Sequence, residues 1–530
     1  MADGFDLRDE PWIPVKWASG ESARCGLRQL FHRAHEIVDL ELPVPPAAAG
    51  LMRVLAVMTA RIARDGDGLR LDDEDLVEEA TDWLEARDRV LARGRFDEKA
   101  VDAYFDEEVP PGRFDLFDPL RPFLQDPRLE RECRNAQGQP VRSGVNKLVI
   151  GRPTGANGAV LFAHHTDTAP VPVPTAEAAW YLLAQLYNGP GGKCTPRQIT
   201  SEKTGTVEAS PMRGLVSYFP WAPTLFASLV LAVTVPGHGA QPAPEDAAPW
   251  EADELLDPLG ELPAPTWPSR LLTGRFRHAV LLVPSPDRTQ VVDAYITWAT
   301  HAPAQRARDP YVILDRRRDG EYAPRDADGH RALWRDLDAL LLQDSDPQAQ
   351  RPLSLGSLPA SWRPRLAVRA YGVDQERSQV IDQTWFEATT PPVLQWQEEA
   401  DPVMARHVAR AHQAAEAAAT RLDFVARLAW KLATDVNAVD EAKPKLDRKK
   451  PGPWAAAALR HYWPRAETAF WHLAKPEECD TPALPVMVDA ALAALDEAIG
   501  RANRADIRVA RARSRARAAL RALLRTADAA

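Results

Sequence analysis

The chain has 530 residues, 45% of them apolar, with 65 Lys and Arg against 75 Asp and Glu for a net charge of -10; it can bury more than one core, and any polyanion contact is left to local patches. Its four cysteines, Cys25, Cys133, Cys194 and Cys479, are too scattered for a disulfide framework or a zinc ligand set. An acidic start in place of a signal peptide, and no apolar run approaching the roughly 20 residues that span a bilayer, lead to the expectation of a soluble, cytoplasmic protein.

In chain order, residues 5–17, FDLRDEPWIPVKW, read as a short strand that Pro11 and Pro14 confine to a sheet edge or an extended arm. Leu51, Leu55, Met58 and Ile62 fall at helical spacing after a proline-rich start and predict a core helix over 45–65. Residues 71–94 predict a second amphipathic helix whose acidic first turn suits its dipole, those acids forming a solvated face. The aromatic, proline-broken stretch 113–129 reads as a packed irregular connection.

The stretch 144–212 places two glycine-bearing loops on either side of a helical interval, 176–188. Lys147 and Arg152 belong to the first loop, Lys193 and Arg197 to the second. Glycine lets a backbone approach a ligand closely, and the cations attract phosphate; two ordinary surface loops are the alternative. GPGGKCT is not a phosphate-binding P-loop, because Tyr187 stands where its first glycine belongs and Cys194 where Ser or Thr would hold magnesium. His164, His165 and Asp167 have the residue types of a metal or acid–base site, but no second cluster completes a ligand set. No hydrolase, metalloprotease or deaminase signature occurs, so an enzyme is not expected.

Residues 212–235 predict a strand followed by a buried helix, and 237–268 a long connection without chemistry. HAVLLV and VVDAYITW form a hairpin across Ser285–Gln290. A turn over 315–320 carries Arg316, Arg317 and Arg318, a charge run that is ordinarily just solvated. A helix is predicted over 331–343, then a strand over 365–372 that breaks at Gly372 into a polar tip holding Asp374 and Gln375.

From about residue 398 strands vanish, and four apolar-periodic stretches with short connections predict a helical bundle, the second helix kinked at Pro464. The fold class is therefore α+β: a mixed domain of short strands and helices over 1–395, then a C-terminal four-helix bundle over 396–530. Basic residues gather on the bundle, at Lys443, Lys445, Arg448, Lys449 and Lys450 in one connection. In the last helix Arg504, Arg508, Arg511 and Arg515 share a face, with Arg513, Arg517 and Arg521 beside them. Solubility alone is one reading of this charge, a DNA-backbone track the other.

Taken in succession, FDLRDEPWIPV (5–15), NKLVIGRPTGANGAVLF (146–162), YLLAQLYNGPGGK (181–193), SPMRGLVSYFPWAPTLFASLVL (210–231), RAYGVDQ (369–375) and the terminal helices resemble the CasA family, the large subunit of type I-E Cascade complexes in CRISPR defence. The resemblance implies a non-catalytic subunit that recognises the protospacer-adjacent motif in double-stranded DNA and starts duplex opening, so that guide RNA can pair and form an R-loop. It also implies a role in presenting the complex to a helicase-nuclease. The implied partners are guide RNA, the other Cascade subunits, target DNA and that recruited helicase-nuclease, with no membrane and no cofactor.

Residue by residue, the family's first loop, which touches the RNA handle and a backbone subunit, falls on 155–162 with Asn157, Leu161 and Phe162. The glycine loop that enters the minor groove falls on Gly189, Gly191 and Gly192 with Lys193, and the wedge inserted beneath the motif on Asp374 and Gln375. The lysine finger maps near 299–308, which holds no lysine; Arg306, Arg316 and Arg317 are the substitute candidates. The cysteine pairs that bind zinc in some relatives are missing, so no metal is implied. The physics is compatible: the minor groove offers a degenerate acceptor pattern suited to a backbone reader, and RNA–DNA pairing offsets the few kcal/mol of unstacking in a nearly balanced exchange. Two other readings stand beside this one, a stand-alone hydrolase using His164, His165 and Asp167, and a protein-only docking scaffold built on the bundle.

Overall fold

The computed structural model describes residues 4–66, 80–135, 137–154, 165–200, 203–237, 239–303, 307–343, 348–375, 383–435, 446, 451–500 and 506–527. The chain divides into two compact units, one formed by Met1–Ala332 with Pro347–Gln395, the other by Leu333–Asp346 with Trp396–Ala530.

The first unit opens with β1 (Ile13–Trp17) and β2 (Ser22–Cys25), then α1 (Leu27–His32) and β3 (Ile37–Leu40). The antiparallel order is β2-β1-β3, so the strand carrying Pro14 is central, not an edge. Proline fits because its carbonyl accepts from Glu41 N, beyond the last residue of β3, and the ladder to β3 begins only at Val15↔Leu40. The missing N–H therefore falls outside the residues paired with β3, while Pro14 stands opposite Arg24 of β2.

α2 (Pro45–Gly66) follows as expected. Leu51, Leu55, Met58 and Ile62 are buried, but so are Met52, Val54 and Val57; the helix is enclosed on every side. Its segment Pro45–Ala63, 19 residues of mean hydropathy 1.3, is long and apolar enough to cross a bilayer, against the expectation that no run is, yet 94% of it is buried inside the protein. At its centre Arg53, 1% exposed, donates Nε and Nη2 to the Asp309 carboxylate at 3.1 and 2.9 Å and Nη2 to Ser217 Oγ at 3.0 Å. A buried charge is tolerable when it is paired and hydrogen-bonded in this way.

Of the helix predicted over 71–94, the described part is α3 (Ala80–Arg93). α4 (Glu98–Ala103) is capped by Asp97, whose side chain accepts from Lys99 N and Ala100 N. The connection 113–129 packs its rings, Phe114 stacked on Phe123 and Phe123 tilted against Trp250. Next come α5 (Leu129–Glu132), α6 (Val145–Leu148), β4 (Val173–Pro174), α7 (Thr175–Asn188), β5 (Gly192–Gln198), β6 (Lys203–Val207), β7 (Val216–Trp221) and the wholly buried α8 (Leu225–Ala232). α9 (Ser269–Thr273) precedes β8 (His278–Pro284) and β9 (Gln290–Trp298), the expected hairpin. The cationic turn joins β10 (Leu314–Arg316) to β11 (Tyr322–Pro324), and β12 (Ala349–Gln350) flanks them.

β13 (Ala367–Gln375) pairs with β7 on one side and with β14 (Gln383–Thr389) on the other. The strand does not break at Gly372. It runs on through Asp374↔Thr384 and Gln375↔Gln383, because a Cβ at Gly372 would lie 2.3 Å from the Phe386 ring; the glycine admits a cross-strand aromatic and does not end the strand.

In the second unit the helix expected over 331–343 is a 3-10 turn, Leu333–Asp336, followed by α10 (Leu337–Leu341). Asp336, at φ -104° and ψ -2°, separates the two. α11 (Pro402–Thr434), α12 (Pro453–Leu473), α13 (Ala483–Ile499) and α14 (Ile507–Ala527) then pack on one another, α11 touching each of the other three. The apolar stripe of α11, from Val408 through Ala415 and Leu422 to Leu432, is buried as its spacing requires. In α12 the stripe is Trp454, Ala458, Tyr462, Ala466 and Phe470, and the helix continues through Pro464.

Candidate nucleic-acid interface

Three glycines close to one another do different jobs at the end of α7. Gly189 is buried; a Cβ there would stand 2.5 Å from Gln185 O and 2.8 Å from His278 Cε1. Gly191 is exposed but packed flat, its Cβ position 2.9 Å from Ala209 N. Gly192, at φ +124°, faces open space and needs glycine for its backbone conformation. The loop expected here is the first strand of a hairpin, with Gly192↔Val207 and Lys193↔Thr206 paired. Its base is closed by Ser210 N donating to Gly189 O at 3.0 Å and Met212 N to Tyr187 O at 2.9 Å. The exposed edge is therefore Gly191, Gly192 and Lys193, with Gly189 a buried pivot.

Behind that edge His278 Nε2–H donates to Pro190 O at 3.1 Å, and Nδ1 lies 2.8 Å from Ser210 Oγ. Burial pushes this imidazole down to about 4; the Pro190 carbonyl opposes the shift, and Lys147 and Arg213 reinforce it. The ring is neutral at physiological pH and acts as a strut.

Three of the four cations read as phosphate attractors have other partners. Arg197 is fully buried, paired with Asp126 Oδ2 at 2.8 Å and Glu132 Oε2 at 2.7 Å, and holds the hairpin to the core. Arg152 donates to Val171 O at 2.6 Å. Lys147 Nζ lies 3.5 Å from Lys193 O, and burial lowers its pKa; Lys193 is exposed. Asp167 accepts from Asn146 Nδ2 at 3.0 Å, and among the described residues no group of three His, Cys, Asp or Glu could hold a metal ion.

The tip of β13 is tied to the end of α7, which leads into this hairpin, through a residue that carries no signal in the sequence. Arg213 Nε donates to Gln375 Oε1 at 2.5 Å, and its Nη1 donates to Asn188 O at 2.9 Å, the carbonyl just before Gly189. Burial lowers this guanidinium to about 10, still cationic at neutral pH. Asp374 Oδ2 accepts from Gly329 N at 2.9 Å, so it braces the tip from the other side. A cavity of about 450 Å3 lies here, lined by Lys147, Arg152, Gly191, Lys193, Arg213 and Trp385, among others. Trp385 stands opposite Val373 in the tip ribbon, and Gly151 of the first loop leaves room for it, a Cβ there falling 2.7 Å from Trp385 Cη2. First loop, glycine edge and tip ribbon thus share one concave surface. Nothing in the spacing around Arg213 marks it out; only its contacts do.

Arg316 and Arg317 are exposed at the β10–β11 turn and do not line this cavity. On α14, Arg508, Arg511 and Arg515 are exposed opposite the buried Val509, Ala512, Ala516 and Leu520. Arg508 pairs with Asp506 at 3.7 Å, and Arg513 and Arg517 both pair with Asp496 of α13, Arg513 Nε at 2.7 Å, so these last two join helices. Asn157, Leu161, Phe162, His164, Arg306, Lys443, Lys445, Arg448, Lys449, Lys450 and Arg504 lie outside the described residues.

This architecture, a mixed α/β unit with a glycine-edged hairpin followed by long packed helices, is that of subunits found in CRISPR RNA-guided complexes. The chain is 38% identical to a chain of a CRISPR RNA-guided surveillance complex, covering 98% of this chain and 99% of that one with a TM-score of 0.83. It is equally 38% identical to a chain of such a complex in a pre-nicking state, with 98% of each covered and a TM-score of 0.74. The Cse1 of Thermobifida fusca shares the fold at 20% identity, TM-score 0.74, over 99% of this chain and 98% of that one. No curated protein matches the chain. The model of the family CRISPR-associated protein Cse1 matches residues 6–522, and the chain belongs to that family.

Proposed function

We propose that this chain is the large subunit of a type I-E Cascade complex, which recognises the protospacer-adjacent motif in double-stranded DNA and begins duplex opening. In this reading Gly191, Gly192 and Lys193 approach the minor groove, where backbone N–H groups meet the acceptors that every base pair presents. Gln375 enters beneath the motif. Guide RNA and the other Cascade subunits are its standing partners, and a helicase-nuclease is recruited once the R-loop forms. The subunit itself is non-catalytic and cytoplasmic, and needs neither metal nor cofactor. Its C-terminal helices serve as a four-helix bundle whose exposed arginines follow the DNA backbone.

The observation that carries this reading is that Arg213 ties the Gln375 tip to Asn188, the end of the helix that leads into the exposed glycine edge, within one compact unit. A reader and a wedge must act on neighbouring base pairs, and only a shared surface allows it. In the assembled complex, Gln375→Ala is expected to slow R-loop formation on a closed duplex while leaving subunit assembly intact. R-loop formation at the parental rate would remove Gln375 from the wedge role.

A further inference from the structure

Gln375 ends a strand whose continuation carries no further pairing to β7, since that ladder stops at Gly372↔Val216. A glutamine side chain has three rotatable bonds, so backbone register alone does not aim its amide. What aims it is Arg213, which binds Gln375 Oε1 through Nε and Asn188 O through Nη1. The planar guanidinium fixes the angle between those two donors. The two acceptors lie on different elements, the strand end of β13 and the last residue of α7, and α7 leads directly into the glycine edge. The third nitrogen, Nη2, is buried and has no hydrogen-bond partner among the described residues. A buried donor left unpaired is unfavourable, so this arrangement is one that an acceptor entering the cavity can improve.

We infer that Arg213 is a positioning residue that clasps Gln375 in register with the glycine edge, so that reading the motif and prying the adjacent base pair occur as a single step. The inference rests on the wedge reading of Gln375 and adds to it the group that sets the wedge. Arg213 need not touch DNA for this. Its effect is to present one rotamer of the amide at a fixed distance from Gly191 and Gly192, in place of a freely turning side chain.

The test uses the assembled complex and two targets that differ only beside the motif: a closed duplex, and the same duplex with its first base pairs mismatched so that no wedge is needed. Arg213→Met, which keeps the apolar stem, is expected to slow R-loop formation about tenfold on the closed duplex, as expected for removing one hydrogen bond to a charged group. On the mismatched target the rate should remain within about twofold of the parent, the noise of a neutral change. Adding Gln375→Ala to Arg213→Met should produce no further slowing, because the two act as one unit. Arg213→Gln, which retains a donor for folding, serves if the Met variant does not assemble and is held to the same outcomes. Equal slowing on both targets would make Arg213 an ordinary structural or DNA-binding group and overturn the clasp. Full additivity with Gln375→Ala would overturn it too, with the wedge reading intact. Gln375→Ala opening the closed duplex at the parental rate would instead end the wedge reading, and the clasp with it.

Discussion

His278 shows how a single side chain can report on the candidate interface without touching a ligand. Its imidazole is depressed from an ordinary 6.5 to about 4, so the folded protein disfavours the proton that the unfolded chain accepts. The associated stability is complete above pH 6.5 and is lost as pH falls from there towards 4. Comparing denaturant unfolding of the parent and His278→Gln across that window, the parent should lose up to about 3 kcal/mol more than the variant. Parallel pH curves would mean that the ring is not held neutral behind the glycine edge. Neither this strut nor the Arg213 clasp is visible in the sequence, for one physical reason. Arg213 and Gln375 are 162 positions apart, and Arg53 and Asp309 are 256 apart. Local patterning carries no information about such pairs, whereas the glycines and the polar tip can be read because backbone freedom and polarity are properties of neighbours in the chain.

Hairpins and helices are legible where one face is buried and the period is clean, as in β8–β9 and α11. They mislead where a glycine or proline serves a partner across the sheet: Gly372 makes space for Phe386, and Pro14 sits in a central strand whose neighbour ends in time. The β5–β6 hairpin offers a test of the distinction drawn between its glycines. Gly189→Ala forces a methyl group against Gln185 O and the His278 ring and should destabilise by about 1–3 kcal/mol, as overpacking does. Gly192→Ala meets nothing but adopts a strained backbone at φ +124°; it should cost about 1 kcal/mol and act chiefly on DNA engagement. Thermal unfolding of the two variants, beside their binding to a motif-bearing duplex, separates a packing glycine from a contacting one. Equal melting temperatures with equal binding would erase the difference.

For the molecule as a whole, a net charge of -10 is compatible with DNA binding because the cations are concentrated and many of the acids are already paired. Sequence spacing identifies the arginine face of α14, but it cannot tell that Arg513 and Arg517 share the carboxylate of Asp496. Replacing Arg508, Arg511 and Arg515 together by Gln should weaken DNA binding by the assembled complex, and should flatten the slope of log affinity against log salt by up to about 0.9 for each phosphate that is no longer neutralised. An unchanged slope would take this face out of the DNA path. The pleat of β13 carries a further consequence for how this design can vary. Lengthening the ribbon by one residue between Gly372 and Gln375 would turn the amide to the opposite side of the sheet, while lengthening it by two would preserve its side and carry it roughly 6.8 Å outward. The reach of the tip is thus quantised in pairs of residues, and an odd insertion loses the side of the sheet while an even one keeps the side and loses the Arg213 contact.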